Sequence, residues 1–426
     1  MEGNGVRLQP EIRALAEGCL ERIVAATPAP GALRGNGSLA GGAAGLALLH
    51  AHLHRLDPGL GFRERALAFL AAAAGCLAGE PMGPGLMGGV AGIAWAHGQT
   101  LATLGETDLE DGQADLDRAL EQYLARGASG LGFDLVDGLA GLGIYGLQRA
   151  RAGGRRVILD AVVTDLARRA VAADPGMTWF TPPGALPAHQ RREAPGGYFN
   201  LGLAHGVPAL PALLGQVLAL GLGGAPERRL YGEAVAWLLA QRNPEPARAG
   251  LGCWVAQDED EGQRGARRRE PLRVAWCYGD LGAGVALLRG ACALDDAATA
   301  AAALELCRRA ARCPVPEAGM ADACLCHGAA GNAHLFHRLF RATGEPVFAA
   351  AAEAHLRQVL AWEEPAAGGA GFRFWLPRDE DDPEPWRADP GLLNGAAGIG
   401  LALLGFLDGR EPAWDGCLMA DLPGWR

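Results

Sequence analysis

The chain has no lysine: all 38 of its basic residues are arginine. That absence excludes Schiff-base chemistry, a pyridoxal lysine and the lysine of a phosphate-binding loop. A coding bias toward arginine and alanine is sufficient cause. Aromatic residues are also scarce, at 6%, and alternating β-branched runs are almost missing, which argues against a β fold. No stretch of about 18 apolar residues runs free of charge or glycine, so no membrane span is expected. The start, Met1-Glu2-Gly3-Asn4-Gly5, has neither the basic nor the apolar part of a secretory signal. Excess positive charge is missing too: the net charge of -10 disfavours a nucleic-acid binder, which needs a basic face. Ten cysteines without a signal read as cytoplasmic thiols rather than a disulfide framework. Seven of them (Cys19, Cys76, Cys253, Cys292, Cys307, Cys313 and Cys417) read as small buried hydrophobes.

What the chain has in abundance is glycine, 64 residues of 426, and it is placed periodically. A unit of Gly-x-x-Gly (or a small residue) followed by an aliphatic run begins at Gly42, Gly89, Gly138, Gly206, Gly279, Gly328 and Gly395. Successive copies are 47, 49, 68, 73, 49 and 67 residues apart. A period of about 20–50 residues signals a repeat architecture. The longer spacings carry loop insertions around 150–198, 241–272 and 363–390. Each unit starts a helix, as in Gly45–His50 and Gly398–Leu404, and amphipathic stretches such as Ala66–Leu77 and Tyr231–Ala240 lie between them. The expected fold is all-α, seven helix pairs with Gly-rich inner helices, in one domain over residues 1–426. Both chain ends are apolar, which favours a closed α/α toroid over an open solenoid with polar caps.

In such a ring the residue before each repeat glycine faces the axis. These positions are Gly41, Gly88, Asp137, His205, Tyr278, His327 and Asn394, so polar chemistry belongs to the later copies. Cys277 and Cys326 each stand two residues before a repeat glycine, in Trp276-Cys277-Tyr278-Gly279 and Leu325-Cys326-His327-Gly328. With His327 they make a three-ligand zinc set whose fourth position stays open. The competing view is two buried thiols and a core histidine. Cys324 is a stray thiol beside them. His205 is a candidate acid/base, a fourth ligand or a structural group. Asp134 and Asp137 read as helix caps or as partners in the site, and Arg273 as a surface arginine or a fixed cation for a developing oxyanion. His50, His52 and His54 are expected on the surface. The runs Asp258–Glu261, Arg264–Arg269 and Asp379–Asp382 are expected to be solvated loops.

Together, Asn200-Leu-Gly-Leu-Ala-His-Gly206, Trp276–Gly279, Leu325–Gly328 and Leu393-Asn-Gly-Ala-Ala-Gly398 resemble the lanthionine synthetase C-like family, the lanthipeptide cyclases. The run Trp179-Phe-Thr-Pro-Pro183, leading through Pro195–Phe199, is similar to that family as well. The length is like that of its stand-alone class I members. The resemblance implies an α/α toroid, zinc held by Cys277, Cys326 and His327, and catalytic roles for His205, Asp134 and Arg273. It further implies thioether ring formation on a precursor peptide (leader plus core) dehydrated by a partner dehydratase; whether the chain acts alone or in an assembly, membrane-associated or not, the sequence leaves open. Val207-Pro208 and Asn332 depart from the family pattern, and neither bears on the metal. A toroid that holds zinc and a peptide without catalysis is the rival reading. A prenyltransferase subunit or an α/α glycosidase fits less well, for want of a basic diphosphate pocket and of a purpose for the thiols.

Overall fold

The computed structural model describes residues 5–33, 35–79, 81–106, 112–128, 130–153, 155–243, 249–258, 262, 272–367, 369–378 and 381–423. The helices are α1 (Pro10–Ala26), α2 (Ala43–Leu56), α3 (Phe62–Cys76), α4 (Val90–Leu104), α5 (Ala114–Ala125), α6 (Leu139–Gly153), α7 (Val157–Arg169) and the short α8 (Ala188–Glu193). They continue as α9 (Ala209–Ala219), α10 (Ala225–Ala240), α11 (Asp280–Leu294), α12 (Ala297–Ala311), α13 (Ala329–Thr343), α14 (Pro346–Ala361) and α15 (Ala396–Leu407). Three two-stranded antiparallel ribbons lie in the insertions: Val171–Ala173 with Gly176–Thr178, Tyr198–Asn200 with Trp254–Ala256, and Phe374–Trp375 with Trp386–Arg387.

Six of the seven repeat glycines stand immediately before an inner helix, and Gly206 precedes α9 by three residues. The reason is close approach. A Cβ on Gly328 would lie 2.5 Å from the Asp322 carbonyl, and one on Gly331 would lie 1.9 Å from the Leu325 carbonyl. Each glycine thus meets the carbonyl six residues back, because the first turn of the helix folds onto the loop leading into it. That fold satisfies helix donors that would otherwise be orphaned: Ala43 N–H donates to Asn36 O (3.1 Å), Ala329 N–H to Asp322 O (3.1 Å) and Ala396 N–H to Asp389 O (2.9 Å).

The chain forms two compact units, one from Met1–Ala128 and Met320–Cys417, the other from Ser129–Gly319 and Leu418–Trp425. In the first, the inner helices α13, α15, α2 and α4 pack in that order, each against an outer helix: α14, α1, α3 and α5. The N-terminal helix therefore supplies the outer partner of the last repeat, after which no further long helix follows among the described residues. Backbone bonds link the turns in the same order: Cys326 N–H donates to Leu393 O (3.0 Å), Leu393 N–H to Ala40 O (2.8 Å) and Ala40 N–H to Met87 O (2.9 Å). In the second unit, the inner helices α6, α9 and α11 pack against α7, α10 and α12. Here Leu135 N–H donates to Ala204 O (3.1 Å) and Ala204 N–H to Cys277 O (3.3 Å).

The inner helices are buried nearly all round. In α2 every residue from Ala43 to Leu53 is buried, which corrects the expectation of surface histidines. His50 and His52 are core residues, and His54 is half-buried. The His50 ring lies 5.0 Å from that of Phe69 and its Nδ1 is 3.0 Å from Leu46 O; burial pulls the His50 pKa down to about 4. The alternation His-x-His-x-His looks polar, but an inner helix has no solvent face to offer. Of the cysteines expected in the core, Cys19, Cys307 and Cys417 are buried, and Cys76, Cys253, Cys292 and Cys313 are partly so; none is in a disulfide. The charged runs 259–261 and 264–269, with residues 379 and 380, lie outside the described residues. Asp258 is exposed, and Asp382 is held by Arg378 (2.9 Å) and by Arg387.

Candidate active site and metal centre

The position before each repeat glycine is where the structure opens. Gly41, Gly88, Asp137, His205, Tyr278, His327 and Asn394 are all exposed or half-buried, each next to a buried glycine. The turn forces this: its flanking residues are committed to the loop–helix contact and the core, leaving one side chain outside.

In the second unit these turns assemble Asp134, Asp137, His205, Arg273, Cys277 and Tyr278. His205, with its side chain 51% exposed, has Nδ1 3.8 Å from Asp134 Oδ1. The same carboxylate oxygen accepts the Asp137 N–H (2.9 Å), so Asp134 caps its turn and faces the histidine at once. Burial opposes the imidazolium, yet the carboxylate of Asp134, with Cys277 and Asp137, outweighs it and raises the His205 pKa. Asp134 moves the other way: burial is overcome by His205 and by the Asp137 N–H, and its pKa falls. The two shifts describe one ion pair.

Arg273 does not sit on a helix one turn before Cys277. The segment is a loop closed by a bridge between Val274 and Gly279, and the guanidinium carbon lies 5.8 Å from the centre of the Tyr278 ring. Asn200 Nδ2 donates to the hydroxyls of Tyr278 (3.0 Å) and Tyr198 (3.2 Å), and Tyr198 donates to Gln190 Oε1 (2.9 Å). Burial raises the Tyr278 pKa. A cavity of about 910 Å³ opens beside this cluster; Phe133, Asp134, Phe180, Tyr198, His205 and Tyr278 are among its walls. Its aromatic lining comes largely from the 150–198 insertion.

In the first unit the turn before α13 presents Cys326 and His327, both half-buried. Asp322, Cys324 and His327 each bring a potential ligand atom within 4.8 Å of the others. Asp322 is 3% exposed, accepts the Cys324 N–H (2.9 Å) and the Trp375 N–H (3.0 Å), and lies 3.7 Å from His327 Nε2. Burial would raise its pKa; His327 and these N–H donors lower it. Cys324 is buried and accepts the His327 N–H at 3.4 Å. Burial pushes its thiol up to about 11. A thiol and an imidazole, which Cys326 and His327 present side by side here, are the soft and borderline donors that zinc takes. A carboxylate behind the histidine is the usual outer support of a metal-binding imidazole. The residues present therefore fit a zinc ion.

The sequence reading passed over Asn200 and Asp322. Their signal was an Asn or Asp six residues before the repeat glycine, present as Asn36, Asn200, Asp322 and Asp389.

The whole described chain shares its fold with nisin cyclase: the structures superpose with a TM-score of 0.68 at 18% identity, over 96% of each chain. This defines an all-α fold of the α/α toroid class. The lanthionine synthetase C-like protein family matches residues 35–419. The chain belongs to that family. No curated protein sequence matches it significantly. No helix among the described residues is long and apolar enough to cross a membrane.

Proposed function

We propose that this chain is a zinc-dependent lanthipeptide cyclase. Its substrate would be a precursor peptide whose Ser and Thr have been converted to dehydroalanine and dehydrobutyrine by a partner dehydratase. The observation that carries the reading is the His205–Asp134 pair on the wall of an aromatic cavity, in a member of this family that retains Cys277, Cys326 and His327. Two thiolates and a neutral imidazole would hold zinc, which lowers the pKa of a substrate cysteine and supplies it as a thiolate.

The rest of the chemistry falls to the chain itself. The sulfur lone pair forms a bond to the β-carbon, the C=C electrons move onto the α-carbon and its carbonyl, and a proton must then reach the α-carbon. His205, half-exposed and with its protonated form favoured by Asp134, is the donor. Asp134 fixes the ring and offsets its charge. Arg273, held over the Tyr278 ring, is the cation for the developing enolate. The aromatic cavity receives the peptide and keeps water from the reacting carbons. The product is a lanthionine or methyllanthionine thioether.

Zinc content by elemental mass spectrometry tests the reading, with Cys326→Ala beside the wild type. About one zinc per chain is expected for a single three-ligand site, falling sharply in the variant. A wild type prepared without chelators that carries no zinc would overturn the reading.

A further inference from the structure

The carboxylate of Asp322 is doing something its turn does not require. At the equivalent positions, Asn36 Oδ1 accepts the Ser38 N–H (3.2 Å), Asn200 Oδ1 the Gly202 N–H (2.8 Å) and Asp389 Oδ1 the Gly391 N–H (2.6 Å). One side-chain oxygen is all the turn needs and a neutral amide suffices for it; Asp322 Oδ1 does this work with the Cys324 N–H (2.9 Å). Placing a charge there, in a residue 3% exposed, costs desolvation that an amide would avoid. The second oxygen is where the difference lies. Oδ2 accepts the Trp375 N–H (3.0 Å), which fixes its direction, and it faces His327 Nε2 at 3.7 Å. The backbone of His327 is fixed as well, through its N–H on Cys324 Sγ (3.4 Å).

We infer that Asp322 is the positioning residue of the metal centre: its carboxylate is the acceptor that the Nε2–H of His327 faces, which keeps the proton on Nε2 and leaves Nδ1 as the nitrogen that binds the metal. The inference rests on the zinc reading above. An imidazole has two nitrogens, and which of them binds is set by the hydrogen bond the other makes. The fixed carboxylate selects one tautomer and one ring orientation, and its charge makes the ligand nitrogen more basic. Trp375 belongs to the 363–390 insertion, so that insertion helps aim the carboxylate.

The test is zinc affinity, by competition with a chromogenic chelator, in the full-length wild type and Asp322→Asn. The variant keeps an acceptor for the Cys324 N–H and loses the charge. Removing such an outer partner costs about 10- to 100-fold in metal affinity, and that loss is expected here in a metal-free protein that stays folded by circular dichroism, though the Trp375 N–H loses its acceptor. Zinc affinity within about twofold of wild type would overturn the inference. If the variant does not fold, the long-range ¹H–¹⁵N spectrum of zinc-loaded, ¹⁵N-histidine wild type decides: His327 should carry its proton on Nε2 and its metal on Nδ1, and the reverse would overturn it. A wild type that binds no zinc removes the metal reading itself. A wild type that binds zinc, beside an Asp322→Asn chain that binds it equally well, removes only the role of Asp322.

Discussion

His205 and Asp134 form a pair whose two members perturb each other in opposite directions, and that fixes the sign of a pH effect. The pKa of His205 is raised from its ordinary 6.5 despite partial burial, and that of Asp134 is lowered from 3.8. The pair's contribution to stability is therefore fully present between those two ordinary values. It is lost as pH falls through the depressed Asp134 pKa or rises through the raised His205 pKa. Activity follows the histidine limb if the imidazolium is the proton donor: ring formation slows as pH rises through the His205 pKa. Asp134→Asn should move that decline to lower pH, whereas His205→Asn should slow ring formation about 100-fold or more at any pH with zinc retained. Rates on a dehydrated peptide across pH 5–9 would check both; an alkaline limb left in place by Asp134→Asn would sink the pairing. These residues were legible because each stands at, or just before, the repeat glycine. Asp322 was not, since an aspartate in a turn looks like any cap until the distance to His327 is known.

Among the elements, the inner and outer helices put opposite demands on glycine. Gly331, in the first turn of α13, has the Leu325 carbonyl where a Cβ would sit, at 1.9 Å. Gly232, in the middle of α10, is exposed and has nothing within 4 Å. The same substitution should therefore change sign. Gly331→Ala forces loop and helix apart and should cost about 3 kcal/mol, at the upper end for overpacking. Gly232→Ala should add about 0.5–1 kcal/mol, by removing backbone freedom from the unfolded chain without straining the helix. Denaturant melts of the two variants check this, and equal effects would mean that the glycine turns are not packed as described. The periodicity made these helices legible, since glycine recurred where two backbones touch. It misjudged His50 and His52 because polarity along α2 was taken to mark a solvent face. The three short ribbons escaped notice because two or three residues carry no alternation to detect.

At the scale of the molecule, the first unit joins the N-terminal helix to the last of the seven repeats. The seventh glycine unit begins α15, and no long helix follows it among the described residues to cover its outer side; α1 does so from the N-terminus. Ala16, Cys19, Leu20 and Ile23 of α1 are buried, and Gly400 of α15 is placed so that a Cβ would touch Ile23 and Leu20, at 3.4 and 3.6 Å. Arg22 extends the contact through a two-pronged bond to Glu363 (2.5 and 2.8 Å). The sequence pointed to closure through the apolar character of both chain ends. It did not foresee that the pairing runs backward across the chain, because no local pattern marks which outer helix an inner helix will choose. A domain's whole stability is about 5–15 kcal/mol, and burying each large aliphatic side chain contributes about 1.5–3 kcal/mol. Deleting residues 1–27 removes Ile12, Leu20 and Ile23 from the core at once and uncovers the face of α15. The truncated chain should melt at least about 10 °C lower and bind a hydrophobic dye. A synthetic peptide of residues 1–27, added in excess, should recover part of that loss by occupying the vacated face. A truncated protein melting at the wild-type temperature would mean that α1 decorates the fold and does not close it.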